Sequence, residues 1–142
     1  METERVVREV IDLTPLLRRN ILRPMEACAQ PRMAPGQASI LMILKENGPH
    51  TMAQLGREIM VCRQQMTGLI EELLQKGLVT RSRGDRDRRT VLIEITDRGL
   101  ELVEEREQEM MRALYQILDR YSEKEKARLA ETARAMREIM HG

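Results

Sequence analysis

The spacing of apolar residues changes abruptly in the middle of the chain. Over residues 63–76 the apolar side chains recur every three or four positions, which predicts a helix with one buried stripe. Gly77 is the residue type that commonly ends such a helix. Val91, Ile93 and Ile95 then alternate with their neighbours, as in a half-buried strand. A helix followed by a β-hairpin therefore lies at the centre of the fold. The stripe consists of Met66, Leu69, Ile70, Leu73 and Leu74.

Helical spacing dominates the rest of the chain. It predicts helices from Pro35 to about Glu46, over residues 52–59, from Asp97 to about Arg120, and from Ser122 onwards. The N-terminal stretch is also helical, with a kink or short break at Thr14-Pro15. The predicted fold is mostly α with a small β-hairpin wing. It is one domain over residues 1–142, with a winged helix-turn-helix at about 35–99 and helical arms at about 1–30 and 100–142.

Local signals mark the ends of several of these elements. Thr51 is a good N-cap for the helix over 52–59, and Ser122-x-x-Glu125 has the pattern of a capping box. The two strands of the hairpin are predicted over residues 78–80 and 90–95.

Composition narrows the class of protein. The core has to be aliphatic, because the chain has no Trp, no Phe and two Tyr. The longest apolar run, residues 40–44, is far shorter than the roughly 20 residues of a spanning helix. The N-terminus is polar and lacks the apolar segment of a signal peptide. We therefore expect a cytoplasmic protein with no membrane partner. Cys28 and Cys62 form no C-x-x-C pair and only two His are present, so we expect neither a metal nor another cofactor.

Charge is distributed unevenly along the chain, although the net charge is only +1. Residues 76–89 carry six basic and two acidic side chains, whereas residues 94–109 carry seven acidic and two basic ones. A basic segment beside an acidic one indicates an element that faces an anion, held on a solvated scaffold.

The helix over residues 63–76 presents polar side chains opposite its apolar stripe. Arg pairs with guanine and Gln with adenine, whereas Thr suits a phosphate or a thymine methyl group. Gly68 has no side chain to hold the helix away from DNA. The alternative interpretation is an ordinary solvated helix face. The candidate DNA-binding residues here are Arg63, Gln64, Gln65, Thr67 and Gly68.

The segment between the two strands has five arginines within residues 81–89. An arginine at the tip of a hairpin suits the minor groove, where the negative potential of DNA is concentrated. We expect Arg83, Arg86 and Arg88 to contact DNA. Asp85, Asp87 and Arg89 would then structure the wing by pairing within it. The alternative is an exposed cluster of compensating charges that contributes little energy.

Together these segments resemble the MarR family of prokaryotic transcription regulators. Asp87-Arg88-Arg89, then Val91, Ile93, Ile95-Thr96 and Gly99, resemble the D-R-R-x-V-x-V-x-L-T-x-x-G wing signature of that family. Lys76-Gly77-Leu78-Val79 resembles its turn into the wing. Pro35-x-Gln37 and Gly48-Pro49 resemble its second helix and the following turn. The resemblance covers roughly residues 35–99. The chain departs from the family pattern at Ala34, Ala38 and Cys62.

The resemblance implies a homodimer with interlocking terminal helices, bound to a pseudo-palindromic operator in double-stranded DNA. The helix over 63–76 would enter the major groove, and the wing around 85–88 the minor groove. Family members commonly repress genes and leave DNA when a small molecule binds. Candidate effector contacts are Ile21, Met25 and Met42, for which core packing is the alternative.

The sequence also supports a second mode of regulation. Cys62 precedes the recognition helix, and its oxidation would place bulk or charge beside the DNA-binding face; the alternative is a packing residue that replaces an N-cap Ser. A winged helix that binds proteins would use Glu71 and Glu72. An enzyme is not expected, because the sequence has no catalytic Ser/His/Asp or Cys/His set, P-loop or dinucleotide-binding fingerprint.

Overall fold

A computed structural model of the chain describes residues 1–28, 33–83 and 89–141. The described part is mostly helical with one antiparallel hairpin, so the predicted fold class is confirmed. In chain order the elements are α1 (Glu2–Leu17), a π-helical turn (Arg18–Leu22), α2 (Arg23–Cys28), α3 (Pro35–Asn47), α4 (Met52–Ile59), α5 (Arg63–Gln75), β1 (Val79–Arg83), β2 (Val91–Ile95), α6 (Asp97–Leu118) and α7 (Glu123–His141).

The chain divides into two compact units. One is drawn from Met1–Ala29 and Gln108–Gly142, and the other from Gln30–Glu107. We call the second unit the lobe and the first unit the arms. Helix α6 contributes residues to both units.

The core of the lobe is aliphatic, as the composition requires. Helices α3, α4 and α5 and both strands each bury at least one large apolar side chain in it. The stripe predicted on α5 supplies Met66, Ile70 and Leu73, all of which are almost completely buried. Leu69 and Leu74 are half-buried at its edge. The other fully buried members include Ile40, Leu41, Leu55 and Ile93.

The turn from α5 into the hairpin is held by backbone hydrogen bonds at a glycine. Gly77 has φ 72°, and its N–H donates to the Leu74 carbonyl at 3.1 Å. The Leu78 N–H donates to the Leu73 carbonyl at 3.0 Å, which completes a Schellman motif. The predicted helix end at Gly77 is therefore correct, and it directs the chain into β1.

The start of α6 packs against the same turn. The Thr96 hydroxyl donates to the Gly77 carbonyl at 2.7 Å and accepts from the Gly99 N–H at 3.1 Å. A Cβ on Gly99 would lie 2.3 Å from the Leu78 carbonyl oxygen, closer than real atoms approach. The Thr96-x-x-Gly99 spacing thus allows α6 to start directly beside the hairpin.

The hairpin pairs Val79 with Ile95 at one end and Arg83 with Val91 at the other. The first strand extends beyond the predicted residues 78–80, because its backbone pairing with β2 continues through Ser82 and Arg83. A residue outside the hairpin also joins it. The His50 N–H donates to the Ile93 carbonyl at 3.2 Å, and the Ile93 N–H donates back at 2.8 Å. The turn between α3 and α4 is thereby attached to the hairpin.

Within the arms, α1 is not interrupted at Thr14-Pro15, so the short break expected there is wrong. Helix α1 runs through Pro15 to Leu17, and the irregularity appears as the π-helical turn that follows. Pro15 lacks the N–H that would normally bond to the carbonyl of Ile11. Nearby, the Thr14 hydroxyl donates to the Val10 carbonyl at 2.7 Å. A wider turn just after proline accommodates the missing hydrogen bond without ending the helix.

The predicted capping box at the start of α7 is present. The Glu125 N–H donates to the Ser122 hydroxyl at 3.1 Å, and the Ser122 N–H donates to the Glu125 carboxylate at 3.0 Å. These hydrogen bonds lower the pKa of Glu125. Across the described residues, no helix has the length and apolar character needed to cross a membrane.

Candidate nucleic-acid interface

Helix α4 and the turn after it determine where α5 begins. Thr51 is the N-cap of α4, as predicted, and it forms a reciprocal capping box with Gln54. The helix ends at Met60, whose backbone is left-handed with φ 57° and ψ 45°. The N–H groups of Met60 and Val61 both donate to the Gly56 carbonyl. Helix α5 then starts at Arg63, immediately after Cys62 in the N-cap position.

The two faces of α5 differ sharply in burial. Met66, Ile70 and Leu73 face the core. Every residue that we predicted for DNA contact on this helix is exposed, and none of them is acidic. A Cβ added to Gly68 would meet nothing within 4 Å, so the helix surface is open at that point. The exposed residues are Arg63, Gln64, Gln65, Thr67 and Gly68.

Several polar groups on this helix are already hydrogen-bonded within the lobe. The Thr67 hydroxyl donates to the Arg63 carbonyl at 3.1 Å and lies 3.9 Å from the Met52 sulfur. The Cys62 thiol lies 3.7 Å from the Gln65 side-chain oxygen and does not cap the helix. Further along, the buried Gln37 amide donates to the Glu72 carboxylate at 2.7 Å. Glu72 therefore has a structural partner.

The exposed arginines of α4, α5 and the hairpin fall into two groups. Arg57, Arg63 and Arg81 make no side-chain hydrogen bond or ion pair to any part of the chain that the structure describes. Arg83 and Arg89 are exposed, and each has an interaction partner. The remaining wing residues predicted for DNA contact or wing structure lie outside the described residues. They are Asp85, Arg86, Asp87 and Arg88.

The candidate effector residues lie in different units. Ile21 and Met25 belong to the arms and are half-buried. Met42 belongs to the lobe, where it packs at the edge of the aliphatic core. The structure leaves their role as effector contacts a prediction. In the ranges 1–28, 33–83 and 89–141, no cluster of three or more potential metal ligands is found.

Sequence reasoning missed three residues of this region. Arg57 lies on α4, outside the basic segment of residues 76–89, so counting charges along the chain did not identify it. Met60 has a left-handed backbone, which the spacing of apolar residues in the neighbouring helices does not reveal. Gln37 was noticed only as part of a motif, whereas it is a buried polar partner of α5. The signal that could have identified Met60 was the short interval between the helices predicted over residues 52–59 and 63–76, which requires a tight turn.

Comparisons with known proteins agree with this geometry. A family model described as "MarR family" matches residues 33–91, the segment that includes α3, α4, α5 and β1 and ends at the first residue of β2. The HTH-type transcriptional regulator FarR of Neisseria gonorrhoeae is 33% identical over 69 residues, which are 49% of this chain and 47% of FarR. The HTH-type transcriptional repressor NicR of Pseudomonas putida is 32% identical over 79 residues, 56% of this chain and 49% of NicR.

These matches span about half the length of the curated relatives. A solved structure extends the likeness to the whole chain. A MarR family protein from Bacillus stearothermophilus matches with a TM-score of 0.78 at 25% identity, over 98% of each chain.

Proposed function

We propose that the protein is a dimeric, sequence-specific regulator of the MarR family that binds double-stranded DNA, because the family model matches most of its winged-helix lobe. Its function is binding rather than catalysis. Helix α5 enters the major groove and the wing contacts the adjacent minor groove. The proposal assigns base or backbone contacts to Arg63, Gln64, Gln65, Thr67, Gly68, Arg83, Arg86 and Arg88.

The exposed N-terminal half of α5 is the observation that carries the proposal. It is polar and free of acids, and at Gly68 it has no side chain to keep a partner away. The major groove is about 12 Å wide and admits one α-helix. The buried stripe on the opposite face holds this helix firmly in the lobe. A rigid polar helix face of this kind suits base edges, which demand accurate placement of donors and acceptors.

The dimer is proposed from the arms. Helices α1 and α7 contain no buried residue, yet both expose large apolar side chains. Ile11 on α1 is 64% exposed, and Ile139 on α7 is 81% exposed. A second copy of the chain would cover these surfaces, which are otherwise costly in water. Two lobes related by a two-fold axis would then address half-sites about 34 Å apart on a pseudo-palindromic operator.

The proposal also includes repression of target genes and release of DNA when a small molecule binds. NicR, which resembles this chain, is described as a repressor. An effector would displace the lobes from their DNA-binding geometry. Ile21, Met25 and Met42 are the proposed effector contacts, because each is apolar and only half-buried. Such a repressor acts on chromosomal DNA in the cytoplasm.

A redox-responsive regulator is the second candidate, favoured by one observation at the start of α5. The Cys62 thiol is exposed and does not cap the backbone of α5, so it is open to an oxidant. By contrast, the hydrogen bond from Gln37 assigns Glu72 a structural task. A winged helix that binds proteins through Glu72 would need that carboxylate free, so a protein-binding function has less support.

The proposed function is tested by the salt dependence of DNA binding. Binding of genomic DNA fragments is measured by mobility shift between 50 and 200 mM salt, roughly the range over which phosphate-binding proteins lose much of their affinity. We expect wild-type affinity to fall steeply. Arg86→Ala or Arg88→Ala should make the slope of log affinity against log salt shallower by about 0.9 for each phosphate that the variant no longer neutralises. Arg137→Ala on α7 is the matched control and should behave as the wild type. No DNA binding at the lowest salt would contradict the proposal.

A further inference from the structure

Met60, in the turn between α4 and α5, has an unusual backbone. With φ 57° and ψ 45°, it is the only residue other than glycine that has a positive φ in the described ranges. This left-handed conformation crowds the Cβ of an L residue, so Gly and Asn usually occupy it. A long side chain such as that of methionine gives no relief from the crowding.

The left-handed backbone is imposed by the turn. The Gly56 carbonyl accepts from both Met60 and Val61, which closes the end of α4 and reverses the chain toward α5. Gly56 is itself buried, and a Cβ there would lie 3.2 Å from the Met66 side chain. The tight packing of α4 on α5 therefore requires a residue at position 60 to be left-handed, whatever its side chain.

The Met60 side chain makes no contribution to the core that would offset this cost. It is 90% exposed, more than any other large apolar side chain in the described part of the chain except the N-terminal Met1. An apolar side chain that is strained and almost fully solvated contributes little to the stability of the free protein. Strain of this kind is often found where a residue serves binding.

Arginines flank the turn on both sides along the chain. Arg57 lies three residues before Met60 and Arg63 three residues after it. Both side chains are exposed, and neither makes a hydrogen bond or ion pair to the described residues. Guanidinium groups in these positions suit two phosphates of one DNA strand. The apolar turn residue would then be held between the backbone contacts, at the edge of the groove.

We infer that Met60 contacts DNA directly and that its thioether side chain lies against the 5-methyl group of a thymine. This inference rests on the proposed function. The thymine methyl is the one apolar group that base pairs present in the major groove, and apolar side chains recognise it. Methionine is unbranched and adaptable, so it fits such a contact from a turn. Met60 is thus a specificity-determining residue just outside the recognition helix.

The inference is tested with a duplex that the wild-type protein selects from random-sequence DNA. In matched duplexes each thymine is replaced in turn by deoxyuridine, which lacks only the 5-methyl group. We expect one replacement per half-site to weaken wild-type binding about threefold to tenfold, within the range of single base contacts. Met60→Asn should bind the parent duplex more weakly by a similar factor and should be insensitive to that replacement. Met60→Leu should retain the sensitivity.

Thermal unfolding supplies the second measurement. Asn tolerates the left-handed backbone, so Met60→Asn should raise the Tm by about 2–4 °C while it weakens DNA binding. A rise in stability shows that the weaker binding does not come from misfolding. Thr67→Ser removes the methyl of a residue that we also assign to DNA, so it tests the competing contact with the thymine. Gln75→Ala, at the exposed far end of α5, is the control and should leave the deoxyuridine sensitivity unchanged.

Two results would overturn this inference and leave the proposed function intact. Met60→Asn could bind the selected duplex as tightly as the wild type, or the deoxyuridine sensitivity could vanish in Thr67→Ser and persist in Met60→Asn. A wild-type protein that selects no sequence at all would instead overturn the proposed function, and the inference would fall with it.

Discussion

The Gln37 amide donates to the Glu72 carboxylate at 2.7 Å and connects the first turn of α3 to the second half of α5. Gln37 is 2% exposed, so its polar group is almost fully removed from water. Beside it, Gly36 packs so closely that a Cβ would lie 2.8 Å from the Leu69 side chain. The candidate recognition helix is therefore held by α3 through an apolar contact at its centre and a polar contact in its second half.

Glu72→Ala should destabilise the lobe although alanine favours helices. The substitution leaves the buried Gln37 amide without its partner, which costs about 1–3 kcal/mol. Glu71→Ala is the matched control, because Glu71 is the exposed neighbour on the same helix and should change stability by no more than about 0.5 kcal/mol. Urea unfolding followed by circular dichroism measures both. Equal effects of the two substitutions would show that the hydrogen bond to Gln37 does not stabilise the fold.

Gly99→Ala should be among the most damaging single substitutions in the lobe. The new Cβ would lie 2.3 Å from the Leu78 carbonyl oxygen, so the start of α6 must move away from the hairpin. We expect the free energy of unfolding to fall by more than about 2 kcal/mol, as for other overpacked sites. Gly68→Ala is the control, since its Cβ meets nothing within 4 Å. It should gain up to about 1 kcal/mol from helix propensity. Wild-type stability in Gly99→Ala would refute this packing argument.

The elements were predictable where one local signal determined them. Apolar periodicity located α4 and α5, and Gly77 marked the end of α5 because a Schellman motif needs a left-handed residue. Ser122 and Glu125 identified the start of α7, since a capping box is a local interaction. In each case the hydrogen-bonding partners lie within a few residues in the sequence.

The features that escaped prediction depend on distant partners. Pro15 suggested a break, yet the helix passes through it and widens at Arg18–Leu22. The bridge between His50 and Ile93 joins segments far apart in the chain. Gln37 and Glu72 are separated by 35 positions, and no local pattern reveals that they meet. Candidate site residues on α5 were identifiable because their exposure follows directly from the helical period.

Ile11→Glu should weaken association of the proposed dimer. Ile11 is 64% exposed in a single chain, and a second copy would have to bury the introduced charge without a partner. Light scattering at micromolar concentration should show a monomer, or a dissociation constant raised at least about a hundredfold for a penalty of roughly 3 kcal/mol. Glu9→Gln, an exposed polar change on the same helix, should remain dimeric. A stable monomer in the wild-type protein would contradict the proposed assembly.

Cys62→Ser distinguishes the two proposed modes of regulation. If oxidation releases DNA, mild peroxide should weaken wild-type binding and leave Cys62→Ser unaffected, because serine cannot form the oxidised thiol. Cys28→Ser is the control, since Cys28 is also exposed but lies in the arms. Equal sensitivity in wild type and Cys62→Ser, or none in either, removes the redox hypothesis. A small-molecule effector then remains as the proposed signal.

Selection from a random-sequence DNA library tests most directly whether α5 is the element that recognises DNA. Wild-type protein should recover a two-fold symmetric motif, with half-sites about one helical turn apart. Gln64→Ala should recover a motif altered at the same position in both half-sites, because a side chain that contacts a base edge discriminates by roughly 1–3 kcal/mol. Gln75→Ala, at the exposed far end of α5, should recover the wild-type motif. One unchanged motif for all three proteins, or no motif for the wild type, would contradict the account.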